Sequence, residues 1–229
     1  MNPLFGKLIK RGALPVVALS AAFLIAPWEG NEPTPYIDPV DVLTACYGHT
    51  GSDIDPNKTY TEEECLDWFI EDASEANEYV LDTVTVEFDS AYQQAALISF
   101  TYNVGVGNLR TSTLIERLNA GQSYAACDEL VRWVYAKKKK LAGLVNRRNV
   151  ERDYCLGNIA IEDYENYIKE IEKQSNPELE ESISDIQCVV PFGELGYSCE
   201  YGGPFCPWGG VYNDLHPSYF SFSSYSFNT

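Results

Sequence analysis

Trp28-Glu29-Gly30-Asn31-Glu32-Pro33-Thr34-Pro35-Tyr36-Ile37-Asp38 runs on to Thr44 and to Tyr47-Gly48-His49-Thr50. Eight residues lie between Glu29 and Asp38, and five between Asp38 and Thr44. Gly30 lacks a Cβ and can end a helix, and the two prolines force an extended path away from it. Tyr36, Val40, Val42, Leu43 and Tyr47 then read as short strands joined at Pro39-Val40-Asp41. This predicts Glu29 at a helix end, Asp38 on the first hairpin and Thr44 on the return strand, with a carboxyl on each wall of a cleft.

Two such carboxyls suit the hydrolysis of a glycosidic bond, which needs one protonated and one ionised group. Glu29, flanked by Trp28 and an apolar segment, loses water, which favours its protonated form. Asp38, in a polar turn near a hydroxyl, is the one to stay ionised and activate a water held by Thr44. Taken alone, the pair is equally met by a surface Glu and a turn Asp in so acidic a chain. The full pattern is more specific. Glu-x8-Asp-x5-Thr-x4-His, with Gly after the Glu and Tyr-Gly-His-Thr at its close, resembles the phage-type lysozymes of glycoside hydrolase family 24.

That resemblance implies an α+β fold, with a small β-lobe, a larger helical lobe and a cleft between them. It implies a muramidase that cuts the β-1,4 bond between N-acetylmuramic acid and N-acetylglucosamine with inversion, lysing a host cell. Glu29 would be the acid, Asp38 the base and Thr44 the water-positioner. Gly143-Leu-Val-Asn-Arg-Arg-x-x-Glu151-Arg152 resembles the family's closing helix, from which one Arg reaches the acid; Arg147 takes that role first and Arg148 second. Phe100-Thr-Tyr-Asn-Val-Gly and Ser112-Thr-Leu114 resemble a further family turn and helix start, with Tyr102 in place of the family's Phe. Asn103 is there a candidate sugar contact and Tyr47 a candidate support. One His without neighbours at metal-ligand spacing builds no zinc site; the resemblance implies that His49 is a structural ion-pair residue. No cofactor and no metal are expected. The chain departs from the family at Asp41, where Gly is usual; Asp tolerates left-handed φ better than most residues. A lytic transglycosylase on the same bond and a non-catalytic, membrane-tethered wall-binding protein stay open as alternatives.

Composition bounds these readings. The chain has 229 residues, is 45% hydrophobic and carries a formal charge of −18. Residues 1–27 hold three basic and no acidic side chains, residues 28–157 hold 22 acidic and 11 basic, and residues 158–229 hold 12 acidic and two basic. Nucleic acid is therefore excluded as a partner, because phosphate binding needs a basic surface. Seven of those 11 basic residues fall within positions 137–152, starting with Lys137-Lys-Lys-Lys140. In an acidic domain this is a contact for anionic wall polymer.

Lys7, Lys10 and Arg11 precede an uncharged run from Gly12 to Trp28, 17 residues long, at the short edge of what spans a bilayer. Positive charge stays inside, so the N-terminus is expected in the cytoplasm and the rest outside, facing the host periplasm. The run reads as a cleaved signal peptide, a permanent anchor or a signal-anchor-release segment. Its end directly before Glu29 favours release, because cleavage near Ala26 would leave the acid on a frayed terminus. Release would let the Ala-rich segment fold against the body of the enzyme. This gives three parts: the segment 1–28, a muramidase domain 29–157, and an acidic, aromatic-rich extension 158–229 of unassigned role. A monomer is expected, with peptidoglycan glycan strands and, transiently, the host inner membrane (through residues 12–28) as partners.

Seven cysteines suit an oxidising compartment. Cys46, Cys65, Cys127 and Cys155 allow three pairings, of which Cys46–Cys65 with Cys127–Cys155 is the local one. Thr61 with Glu64 reads as a capping box, Ser90–Val104 as a buried central helix stopped by Gly105, and residues 84–88 as a loop. Thr113 with Glu116 is expected to cap the next helix, and Ala125–Tyr135 to be helical.

Overall fold

The apolar run 12–28 is buried through its middle, Val17–Ile25, with Gly12, Leu14 and Pro27 exposed. In the computed structural model, which describes residues 2–38 and 41–175, it is broken into α2 (Pro15–Ser20), a π-helical turn (Ala21–Ile25) and α3 (Ala26–Glu29). Pro15 and Pro27 stand at helix starts, where the missing N–H costs nothing. Val17, Leu19, Leu24 and Ile25 are fully buried. The Ser20 hydroxyl donates to the Ala95 carbonyl at 2.8 Å, so its buried polar atom is satisfied. Among the described residues no helix is long and apolar enough to cross a membrane.

Before this segment comes α1 (Pro3–Lys10), capped by the Asn2 side chain, with Phe5 and Leu8 fully buried. Lys7 pairs with Glu62, and Arg11 donates to Asp67. The segment packs on α5 (Ala91–Val104), the central helix, which is buried on nearly every side from Tyr92 to Thr101. Ser90 caps its start, and Gly105, at φ 80°, stops it. Around α5 lie α4 (Glu62–Thr83), closed by the expected Thr61–Glu64 capping box, and the later helix α9 (Ala142–Cys155). Residues 84–88 are a loop.

The β-lobe is a three-stranded antiparallel sheet of β1 (Glu32–Ile37), β2 (Leu43–Cys46) and β3 (His49–Thr50), in that order. Pro33 and Pro35 are tolerated because β1 is an edge strand. Tyr36 pairs with Thr44, and Ile37 with Leu43. Asp41 adopts φ 66° in the connecting turn, a left-handed value that Asp accepts. Pro39 and Val40 of that turn lie outside the described residues. Disulfides join Cys46 to Cys65, tying β2 to α4, and Cys127 to Cys155, tying α8 (Ser123–Glu129) to α9.

Between α5 and α8 come α6 (Val106–Arg110) and α7 (Thr113–Asn119). Two expectations fail in this region. The cap of α7 is Ser112, whose hydroxyl accepts from the Ile115 amide, not Thr113, which is already helical. The helix expected to Tyr135 ends earlier. After α8 a 3₁₀ turn (Leu130–Arg132) leads into a hairpin of β4 (Tyr135–Ala136) and β5 (Lys139–Lys140). Lys137 and Lys138 make its turn at φ 47° and 66°, a backbone that no helix admits.

The last described helix, α10 (Glu162–Ser175), starts within the compact unit formed by residues 1–169. Tyr164 and Tyr167 meet the Phe5 ring edge-on, and Asn2 donates to Asp163. From residue 176 onward, the acidic, aromatic-rich extension lies outside the described residues.

The Tyr92 hydroxyl donates to Glu165 at 2.5 Å and accepts from the Ile161 amide. Burial and that carboxylate push its phenol up to about 12, and burial alone pushes Tyr154 up to about 12. Unfolded phenols ionise near 10. A folded value above the unfolded one gives stability that is intact below pH 10 and is lost as pH rises toward 12. Ultraviolet difference titration should show Tyr92 and Tyr154 among the tyrosines that ionise late, together with unfolding. Tyr92→Phe should flatten the alkaline loss of stability; an unchanged slope would count against the Tyr92–Glu165 contact.

Candidate active site

Glu29 is the last residue of α3, and Gly30, at φ 72°, turns the chain out of the helix into β1. The Arg147 Nη1 donates to Glu29 Oε1 at 2.6 Å. The other oxygen, Oε2, faces Gly48 in the β2–β3 turn: a Cβ on Gly48 would lie 3.4 Å from it. One carboxyl oxygen is thus pinned by a guanidinium and the other looks toward the β-lobe.

Arg147 is held on every side. Its Nε donates to Glu151 Oε1 at 3.0 Å and its Nη2 to the Ser99 carbonyl at 3.2 Å. Arg148, fully buried, donates to the other oxygen of Glu151, to Asn103 Oδ1 and to the Trp133 carbonyl, and lies over the Phe100 ring at 4.9 Å. Burial pulls the Arg148 guanidinium down, and the Glu151 carboxylate opposes this. Glu151 itself is fully buried and also accepts from the Ser99 hydroxyl at 2.8 Å. Two guanidiniums and two carboxylates therefore share one largely dry site.

Asp38 closes the β1 strand. Its Oδ1 accepts from the Val42 amide at 2.8 Å, and its own amide donates to the Val42 carbonyl at 2.9 Å, so the turn fixes the carboxylate. Thr44, buried on β2, donates its hydroxyl to the same Val42 carbonyl at 3.2 Å, which leaves that oxygen's lone pairs as acceptors. Tyr36, paired across the sheet with Thr44, links the two walls: burial pushes its phenol up, and Glu29 and then Asp38 add to the shift.

The other expected residues lie behind this centre. Tyr47 turns its ring away from it, stacking on Phe69 at 4.3 Å, and its carbonyl accepts from the Tyr102 hydroxyl at 2.7 Å. Burial pushes the Tyr102 phenol well up, with Asp72 and Glu29 adding to it, so the group stays a donor. Asn103 is engaged by Arg148. His49 sits between Asp72 (2.9 Å) and Asp53 (3.2 Å) and stacks on Trp68, an arrangement that fixes β3 against α4. Burial pushes the Asp72 carboxyl up, and His49 opposes this. An open cleft is lined by Gly48, Thr50, Asp72, Tyr102 and Gly105; of these, Gly48 is the residue that Glu29 Oε2 faces. Glu151, Ser99 and Tyr36 were not singled out from the sequence. Arg-Arg-x-x-Glu does place Glu151 on the face of both arginines, but nothing local marks that face as buried.

Residues 26–151 match the family described as phage lysozyme, more than half of the chain. The chain belongs to the phage lysozyme family. It is a glycoside hydrolase of the muramidase type, acting on peptidoglycan, which decides against the transglycosylase and wall-binding alternatives. The SAR-endolysin of bacteriophage PS119 is 49% identical over 128 residues, covering 56% of this chain and 76% of that protein. Among solved structures, an endolysin from Escherichia coli O157:H7 phage FAHEc1 aligns with a TM-score of 0.55 at 27% identity, over 62% of this chain and 94% of that one. The active form of P1 phage endolysin Lyz shares the fold with a TM-score of 0.62 at 21% identity, over 69% and 94% of the two chains.

Gly48 gives this muramidase a direct test of the surroundings of Glu29. Its φ of 87° disfavours any side chain, and an alanine methyl would fill the space beside Glu29 Oε2. Gly48→Ala should cost about 1–2 kcal/mol of stability from the backbone. It should also lower kcat in protein that remains folded at the assay temperature. Undiminished kcat would mean that Oε2 needs no open approach from the β-lobe.

Proposed function

We propose that Glu29 is the general acid of this muramidase, Asp38 its general base and Thr44 the group that orients the attacking water. The reading rests on the Glu29 carboxyl, with one oxygen fixed by Arg147 and the other turned to the cleft. The glycan strand would lie in the cleft past Gly48 and Tyr102. Glu29 Oε2 gives its proton to the glycosidic oxygen as the bond to the anomeric carbon breaks. Water attacks that carbon from the opposite face, and Asp38 takes its proton. The second water hydrogen points to Thr44 Oγ1, whose own proton is committed to the Val42 carbonyl. The anomeric configuration inverts. Lys137–Lys140, exposed on the hairpin, face outward as a contact for anionic wall polymer.

Glu29→Gln keeps the shape and the acceptor to Arg147 but has no proton to give, so activity should fall about 10²–10⁴-fold with the fold intact. Retention of roughly a tenth of the activity would overturn the acid assignment. Nuclear magnetic resonance of fresh product should show the inverted anomer first.

We further infer that residues 12–28 tether the exported enzyme to the inner membrane, N-terminus in the cytoplasm, until they are released intact. The relative named a SAR-endolysin, the charge pattern and the buried place of this segment support it. Lys7 and Arg11 pair with α4, so they and Lys10 must cross the membrane before that packing forms. A potential negative inside opposes the crossing by roughly 2.3 kcal/mol per charge per 100 mV. Collapsing the potential should therefore start lysis, and mass spectrometry should find residues 1–28 retained in the active protein. A fully active form that lacks them would refute this.

A further inference from the structure

Glu151 is fully buried, ionisable, and unused by the chemistry above. We infer that it is a positioning residue for the acid, acting through Arg147; the inference rests on Glu29 being that acid. Glu151 accepts from Arg147 Nε and from the Ser99 hydroxyl with one oxygen and from Arg148 with the other. It thereby fixes the plane of the guanidinium that holds Glu29 Oε1.

The second effect is charge. A guanidinium beside a carboxyl favours the ionised form, which has no proton to donate. With Glu29 ionised the four groups sum to zero; with Glu29 protonated one positive charge remains. Without Glu151 the protonated state would leave two positive charges on two guanidiniums that are almost wholly buried, and the proton would be lost more readily. Glu151 thus offsets the cost that Arg147 imposes on a proton donor, while keeping Arg147 as its anchor. The other groups around Glu29 do not supply this. From α5 Tyr102 faces it as a neutral phenol donating to Tyr47, from β1 comes Tyr36, and Asp38 lies on the opposite wall. Around Glu151, α5 contributes the Ser99 hydroxyl, which also lies 3.2 Å from the Leu24 carbonyl of the π-helical turn; the other contacts are the two arginines.

The test is the pH dependence of kcat/KM on soluble glycan strands for the full chain. Glu151→Gln should move the alkaline limb down by about one pH unit, the scale of one added charge close to a carboxyl. KM should change little. Arg148→Met removes a positive charge and leaves Glu151 on Arg147, so it should move the limb up. The double variant has the native charge sum and should return the limb close to its native place. A folded Glu151→Gln protein with an unmoved limb would overturn the proposal, as would single and double variants displaced alike. Should Glu151→Gln alone fail to fold, the other two proteins decide: a limb that does not rise in Arg148→Met, or that differs from native in the double variant, overturns it. Glu29→Gln separates this result from the reading beneath it. If that variant is inactive while the Glu151→Gln limb stays still, only the role of Glu151 falls; if it is active, the acid assignment falls first.

Discussion

Arg147 is the point through which the parts of the molecule are joined. Its guanidinium touches the end of α3 at Glu29, the middle of α5 at Ser99 and its own helix at Glu151. A buried charge without partners costs several kcal/mol, and a buried guanidinium has five donors to satisfy. Meeting that demand requires the N-terminal segment, the central helix and the closing helix to be present together. The structure that makes the arginine tolerable is therefore the structure that sets Glu29 against Gly48 of the β-lobe. Asp38 and Thr44 need no such support, since their turn fixes them through the Val42 backbone.

The segment 12–28 solves a second problem. Its apolar side chains fill the gap beside α5, where Ser20 donates to Ala95 and the Leu24 carbonyl lies near Ser99, while the buried Trp28 Nε1 has no hydrogen-bond partner among the described residues. A continuous helix of this composition would suit lipid. In the protein a π-helical turn and two prolines divide it, and the division brings Glu29 round to Arg147.

The placement of the candidate centre, Glu29 at a helix end with Asp38 and Thr44 on the first hairpin, was legible in the sequence because it is local. Glu29, Asp38 and Thr44 lie within 16 residues, where Gly30 and the prolines leave the chain few paths. The capping box of α4 followed from an equally short signal, whereas the α+β architecture came with the family resemblance. The reach of Arg147 came with the family resemblance and not from spacing, since it spans 118 residues. Glu151 stayed hidden because Arg-Arg-x-x-Glu looks the same on a solvated helix face as in a buried network. The α7 cap was misplaced by one residue because Ser112 and Thr113 are both good caps and only backbone geometry chooses. The hairpin after α8 was missed because four lysines carry no turn signal, yet two of them take positive φ.

The contact of α1 with α10 joins Asn2 to Asp163 and Phe5 to Tyr164 and Tyr167, across about 160 residues. These partners lie far apart along the chain, so α1 lacks part of its packing site until α10 is in place. Contacts so distant in sequence close late, because the loop entropy they cost is large until everything between them is ordered. The α4, α5 and α9 helices must then collapse around an unfilled slot and hold it open. Folding of this chain is in that respect circular: its beginning is the last piece to be fitted.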